Sequence, residues 1–178
     1  ADVDKNFSNR IKCELFESMI EINTDVCNTV AEVNQDIKQT LLHLEEILKN
    51  YDASINCTSL HPFAKGKNQI ITNNERYKRI MKDLQIIGTR FITQGLHVHI
   101  GIDDCEKAIK VNNALRMYLP LLLALTTSSP YYEGEDTGLH SYRTKIFESL
   151  PLAGLPDYLN DWDHFTKLTD NLIKADVI

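Results

Sequence analysis

The sequence predicts a domain in which strands and helices alternate, built on an antiparallel or mixed sheet with one open, functional face. Three stretches alternate apolar and polar residues in period two, and the stretches that follow them repeat apolar residues in steps of three and four. The resulting order of strand, helix, strand, helix, strand, helix fits either an α/β or an α+β fold. Polar residues alternating along the strands favour the antiparallel or mixed sheet.

The stretch Gln94–Asp104 is the predicted strand around which the other elements are organised. Its apolar residues alternate with two histidines and a glycine, which predicts one face on a core and the histidines on the opposite face. The apolar face holds Leu96, Val98, Ile100 and Ile102, and the other face holds His97, His99 and Gly101. Side chains two residues apart on a strand stand about 7 Å apart. Both imidazoles can therefore reach one ion or one ligand, the alternative being a surface strand that merely exposes two histidines.

Two further strands are predicted, within Glu14–Thr24 and at Ala53–Cys57. Glu21 lies in the middle of the first of them, where a carboxylate is disfavoured. It is either solvated on an open sheet face or placed there to bind a cation.

Helices are predicted over residues 28–51, 74–87 and 160–173 from the spacing of their apolar residues. Gly88 is the expected C-cap of the second, and Asp103 with Glu106 forms a capping-box-like start for another helix, on which Ala108, Val111, Leu115 and Tyr118 line one face. Pro120 is expected to kink that helix or to open a new one. Because Leu121–Thr127 is apolar on all sides, we expect it to be buried.

Composition sets limits on partners and location. The chain of 178 residues has the size of one domain, and its net charge of -6 argues against nucleic acid or an acidic membrane as the main partner. The longest apolar run, Tyr118–Leu125, is too short to span a bilayer. Four scattered cysteines without a CxxC pair indicate reduced thiols and a cytoplasmic setting.

An isolated guanidinium, that of Arg143, follows the loop Ser128–His140. It suits bidentate binding of a carboxylate or a phosphate. The alternative is a surface arginine paired with Glu133 or Asp136. No GxGxxG, P-loop, GxSxG or HExxH motif is present, so any nucleotide site is of a less common kind.

Several long motifs in order resemble one family, the type 2 glutamate–cysteine ligases, and more narrowly the bacterial carboxylate–amine ligases. The motifs are EINTDVC at 21–27, SLHPFA at 59–64, GLHVHIGIDD at 95–104, KAIKVNNALRMYLPLLLAL at 107–125, TTSSPYYEGEDTG at 126–138, SYRTKIFESLP at 141–151 and AGLP at 153–156. The resemblance runs from about Glu14 to the end of the sequence.

The resemblance implies an α+β, glutamine-synthetase-like fold, with a curved, mainly antiparallel sheet and helices packed on one face. It implies an ATP-dependent ligase that uses Mg²⁺ and joins the side-chain carboxylate of glutamate, or a similar acid, to an amine such as cysteine through an acyl phosphate. Glu21 and His97 would be metal ligands. Arg143 would be the catalytic residue that holds the substrate carboxylate. Tyr142, Ser128 and His99 would complete substrate binding.

Members of this family are longer, with an N-terminal strand rich in glutamates and a C-terminal strand that supplies a glutamate and an arginine. Neither is found here, so residues 1–178 are expected to form a single, partial catalytic domain with open sheet edges that also allow a homodimer. Two other functions stay open. One is a non-catalytic, ligase-like module that assembles with another chain, and the other is a metal hydrolase using His97 and His99.

Overall fold

The computed structural model describes residues 3–5 and 7–177. Within that part of the chain, short strands form two antiparallel pairs, and α-helices with short 3₁₀ turns make up the rest. The strands are β1 (Ile11–Cys13), β2 (Ile20–Ile22), β3 (Tyr131–Tyr132) and β4 (Glu135–Asp136). The helices are α1 (Val30–Leu48), α2 (Glu75–Leu84), α3 (Cys105–Leu115), α4 (Leu119–Leu125), α5 (Tyr142–Phe147) and α6 (Trp162–Lys174). This mixture agrees with an α+β fold.

The pair β1–β2 confirms part of the first predicted strand. Glu21 lies at its centre, directly opposite Lys12. Arg10, just before β1, forms ion pairs with Asp25 and with Asp36 of α1, the latter at 3.0 Å. These contacts tie the strand pair to the longest helix.

The predicted helices are present, but two of their ends differ from the expectation. α2 ends at Leu84 with Gln85 as its C-cap, at a positive φ of 51°, and Gly88 is instead buried against the side chains of Met81 and Leu84. α3 is capped by Asp104, which accepts the backbone N–H of Lys107, rather than by Asp103. The carboxylate of Glu106 accepts the backbone N–H of Trp162 and so joins α3 to α6.

The histidine stretch is not a paired strand with a buried face, so that prediction is wrong. Thr93 forms an antiparallel bridge with Leu60, but in the described residues no strand lies beside residues 95–101. Leu96, Val98 and Ile100 are consequently 82%, 73% and 74% exposed. The alternation specifies which side chains share a face, but no second layer covers that face here.

Other expected elements are also missing or more exposed than predicted. Residues 53–57 form no strand, because nothing in the described chain pairs with them. α4 begins with Pro120 in its first turn as predicted, yet Leu121, Leu123 and Leu125 are exposed because no described element packs over them. On α3 the buried residue is Ile109, whereas three of the residues expected to line a face are exposed: Val111, Leu115 and Tyr118.

The accessible surface is large for a chain of this length. It measures 13473 Å², whereas a folded monomer of 178 residues is expected to expose about 8,800 Å². The buried apolar side chains are few and spread along the described chain: Phe16, Leu44, Leu60, Ile92, Ile109, Ile146 and Leu159. Within the same residues, no helix has both the length and the apolar character needed to cross a membrane.

Candidate functional site

Arg143 sits in the first turn of α5, and a buried serine fixes the backbone there. Ser129 is 1% exposed; its Oγ accepts the backbone N–H of Arg143 at 3.2 Å, and its carbonyl accepts that of Tyr142 at 2.9 Å. Sequence reasoning singled out the neighbouring Ser128, whose hydroxyl donates to the hydroxyl of Ser59 at 2.9 Å on the surface. The adjacent serine is therefore the one that positions the arginine.

The guanidinium of Arg143 is oriented by two contacts. Its Nε donates to the carbonyl of Gln94 at 3.0 Å, and its central carbon lies 4.1 Å from the ring centroid of Phe147. Phe147 follows Arg143 by four residues on the same helix, the spacing at which helical side chains meet. Gln94 is itself held by two hydrogen bonds. Its backbone N–H donates to the carbonyl of Ser59, and its side-chain oxygen accepts the backbone N–H of Thr58.

Arg143 is half-buried and carries no counter-charge in the described chain. Burial lowers the pKa of its guanidinium, although an arginine remains charged at neutral pH. The suggested pairing with Glu133 or Asp136 is absent: Glu133 accepts the backbone N–H of Gly66, and Asp136 accepts that of Gly138. Within residues 3–5 and 7–177, no carboxylate lies within ion-pair distance of Arg143.

The structure brings His97 to the same place as Arg143. A Cβ atom added to Gly95 would lie 3.1 Å from Nη2 of Arg143 and 3.3 Å from Nε2 of His97. A side chain at position 95 would therefore crowd both the guanidinium and the imidazole. His99 lies close by, since its ring centroid is 6.3 Å from that of His97.

The side chain of Tyr142 packs against the β3–β4 hairpin. Its ring centroid lies 5.0 Å from that of Tyr132, with the rings inclined by 39°. Burial raises the pKa of Tyr132, and the nearby charge of Glu133 raises it further, while Arg90 acts in the opposite direction. A shallow cavity of about 120 Å³ borders this region, lined by Thr58, Leu60, Pro62, Ser128, Ser129, Pro130 and Tyr131.

Glu21 lies apart from these residues, and no hydrogen bond, ion pair or ring contact in the described chain joins it to Arg143 or His97. Its position on β2 places it near Tyr77 of α2, whose pKa is raised mainly by burial, with the charges of Glu14 and Glu21 adding to the shift and Arg76 opposing it. No group of three metal-ligating side chains converges anywhere in the described chain. Metal binding by Glu21 and His97 stays a prediction.

Comparison with known proteins identifies the family of this chain. The family model described as glutamate–cysteine ligase family 2 matches residues 3–178. The chain belongs to this family. A Frankia alni protein named "Putative glutamate–cysteine ligase 2-1" is 39% identical over 178 residues, all of this chain and 47% of the relative. A Thermobifida fusca protein named "Putative glutamate–cysteine ligase 2" is 38% identical over 168 residues, 94% of this chain and 42% of the relative.

The chain spans less than half the length of these curated relatives. Membership of glutamate–cysteine ligase family 2 indicates a ligase at the level of the family.

Proposed function

We propose that this chain serves an ATP-dependent carboxylate–amine ligase that joins the side-chain carboxylate of glutamate, or a similar acid, to an amine such as cysteine. The observation that carries the proposal is the half-buried guanidinium of Arg143, which has no carboxylate partner in the described chain and lies beside His97. Residues 1–178 would form part of a catalytic domain with a glutamine-synthetase-like fold.

The reaction class requires activation of the acid. A carboxylate resists attack by an amine, so the γ-phosphoryl group of ATP is transferred to a carboxylate oxygen with release of ADP. The amine nitrogen then bonds to the acyl carbon of this acyl phosphate, phosphate leaves, and the nitrogen loses its proton. Such a reaction depends mainly on positioning and on neutralising charge.

Arg143 would hold the substrate carboxylate. Its orientation is set by Gln94 and Phe147, so little conformational entropy is lost when an anion binds. The other members of the proposed substrate pocket are Tyr142, Ser128 and His99. Ser128 and Tyr142 directly precede Ser129 and Arg143, the two residues that one hydrogen bond joins.

Magnesium is part of the proposal because bound Mg²⁺ neutralises phosphate charge in phosphoryl transfer. The described residues do not build such a site by themselves, since no three suitable side chains converge. Glu21 has the oxygen donor that Mg²⁺ prefers, whereas the imidazole of His97 suits softer metals. A cytoplasmic location also belongs to the proposal, supported by four free cysteines.

The decisive experiment measures ADP release by the purified chain with ATP, Mg²⁺, glutamate and cysteine, each omitted in turn. We expect release that depends on both the acid and the amine, and a loss of about tenfold or more in Arg143→Gln. Arg79→Gln, an exposed arginine on α2, is the matched control and should keep wild-type turnover. ADP release that ignores the acid, or no release at all, would overturn catalysis by this chain.

A second candidate function is a non-catalytic module that assembles with another chain. It is favoured by an accessible surface of 13473 Å², which exceeds the expected value by roughly 4,700 Å². Obligate interfaces bury about 2,000–5,000 Å² summed over both partners, so the excess on this one chain is large enough to supply its share. Mass in solution separates the cases: a stable dimer or larger complex without turnover supports the module, and an active monomer contradicts it.

A further inference from the structure

We infer that the face of α3 around Arg116 binds a second copy of this chain, with Arg116 of each copy paired to Asp157 of the other. This surface lies outside the proposed substrate pocket, and the inference does not depend on ligase activity. It starts from a cation that the described residues leave without a counter-charge.

Arg116 is the C-cap of α3, and its half-buried charge is not neutralised by the described chain. Its Nε is buried and has no hydrogen-bond partner among the described residues, and the same holds for Nδ2 of Asn112, one helical turn before it. No carboxylate in that part of the chain lies within ion-pair distance of Arg116. Its two Nη atoms are not among the buried unpaired atoms, so they reach solvent. A half-buried cation in this state is stabilised by an anion from another molecule.

Tyr158 holds the guanidinium of Arg116 in place. The centroid of the tyrosine ring lies 5.9 Å from the central carbon of the guanidinium, within the range of cation–π attraction. The backbone beside Tyr158 is fixed by Asn113, whose side-chain amide donates to the carbonyl of Leu159 at 2.6 Å and accepts the N–H of Leu159 at 3.0 Å. Arg116 is thus oriented before a partner binds, which reduces the entropy lost on association.

Asp157 supplies the matching anion on the same part of the surface. It directly precedes Tyr158 and is exposed, and its carboxylate forms no hydrogen bond or ion pair within the described residues. Arg116 and Asp157 are therefore neighbouring opposite charges that are not paired with each other. A surface that carries both charges is complementary to itself after a two-fold rotation, since each residue then meets its counterpart on the other copy. This self-complementarity identifies a second copy as the occupant.

Exposed apolar residues surround the charged pair and supply contact area. Val111 and Leu115 form the neighbouring row of α3, Leu155 lies three residues before Tyr158, and all three are exposed. An arginine and a tyrosine among apolar side chains are the residue types that dominate binding at interfaces. The accessible surface exceeds the monomer value by roughly 4,700 Å², whereas an interface of standard size takes about 800 Å² from each partner.

Charge reversal tests the pairing, with sedimentation equilibrium of the purified chain as the measurement. The wild type is expected to be a dimer. Arg116→Glu and Asp157→Arg are each expected to weaken association by about tenfold or more, because each places like charges together at both contacts. The double variant that carries both changes restores opposite charges and should associate as the wild type does. Mixing the two single variants should give mixed dimers, in which both contacts again join opposite charges.

Lys110→Glu is the matched control, since it makes the same change of charge on another face of α3 and should dimerise as the wild type does. Circular dichroism and melting temperatures establish that each variant is folded. A monomeric wild type, or an assembly that neither single variant weakens, would overturn the inference, and so would a double variant as weak as the single ones. If Arg116→Glu does not fold, Asp157→Arg decides alone, with weaker association supporting the pairing and wild-type association overturning it.

Discussion

Arg143 and His97 both lie against Gly95: a Cβ atom there would stand 3.1 Å from Nη2 of the arginine and 3.3 Å from Nε2 of the histidine. They come from different parts of the fold, α5 and the extended segment that follows Thr93. The carbonyl of Gln94 holds the two parts together, because it accepts Nε of Arg143 three residues before His97. The geometry of the proposed anion site therefore depends on this contact, together with the Ser129 hydrogen bond and the Phe147 ring.

Arg143→Lys separates the geometry from the charge. Lysine keeps the positive charge but lacks the Nε–H that donates to Gln94 and the planar group that lies over Phe147. We expect the Kd for glutamate to rise about tenfold with little change in thermal stability. Calorimetry with Arg79→Lys as the control checks this, and an unchanged Kd would show that charge alone suffices.

Gly66→Ala is expected to destabilise the fold rather than the site. A Cβ atom at this position would lie 1.9 Å from the backbone carbonyl oxygen of Thr89, and a backbone atom cannot move aside as a flexible side chain can. Overpacking of this kind costs about 1–3 kcal/mol, occasionally more. Urea unfolding measures the loss against Gly101→Ala, and equal midpoints for the two variants would contradict the expectation.

The sequence could predict what depends on local spacing. α1 and α2, and the start of α4 at Pro120, follow from apolar steps of three and four and from the chemistry of proline. The stacking of Arg143 on Phe147 was also accessible, since the two residues are one helical turn apart.

What the sequence could not predict depends on contacts between distant residues. Alternation at Leu96 and Val98 predicts a shared face but not whether another layer covers it, and both side chains are exposed. The hydrogen bonds of Ser129 and Gln94 to Arg143 join separate loops, and no local pattern indicates them. The candidates His97 and Arg143 lie close together, as Gly95 shows, whereas Ser129 and Gln94, which position Arg143, were not predicted.

Asp104→Ala is expected to cost about 1 kcal/mol of unfolding free energy. Asp104 caps α3 by accepting the backbone N–H of Lys107 at 2.7 Å, whereas its neighbour Asp103 pairs with the side chain of the same lysine on the surface. Asp103→Ala is the matched control and should lower the unfolding free energy by less, because an exposed ion pair contributes little to stability. Chemical denaturation measures the unfolding free energy of both variants. A larger loss in Asp103→Ala than in Asp104→Ala would contradict the assignment of Asp104 as the cap.

Tyr132→Phe is expected to lose less unfolding free energy at alkaline pH than the wild type does. Burial raises the pKa of Tyr132 above its ordinary value of 10.0, so the folded state keeps its proton where the unfolded state has released it. Because the folded state then binds more protons, the free energy of unfolding falls as pH rises from about 10 through the higher, folded-state pKa. Phenylalanine has no proton to lose and retains the ring that stacks on Tyr142. Unfolding free energies of both proteins at about pH 8 and about pH 10.5 measure the slope, and the variant should lose less between them. Equal losses of unfolding free energy in the two proteins would show that Tyr132 has the same pKa in the folded and unfolded states. The surroundings of Tyr132 would then be more accessible to water than its contacts indicate.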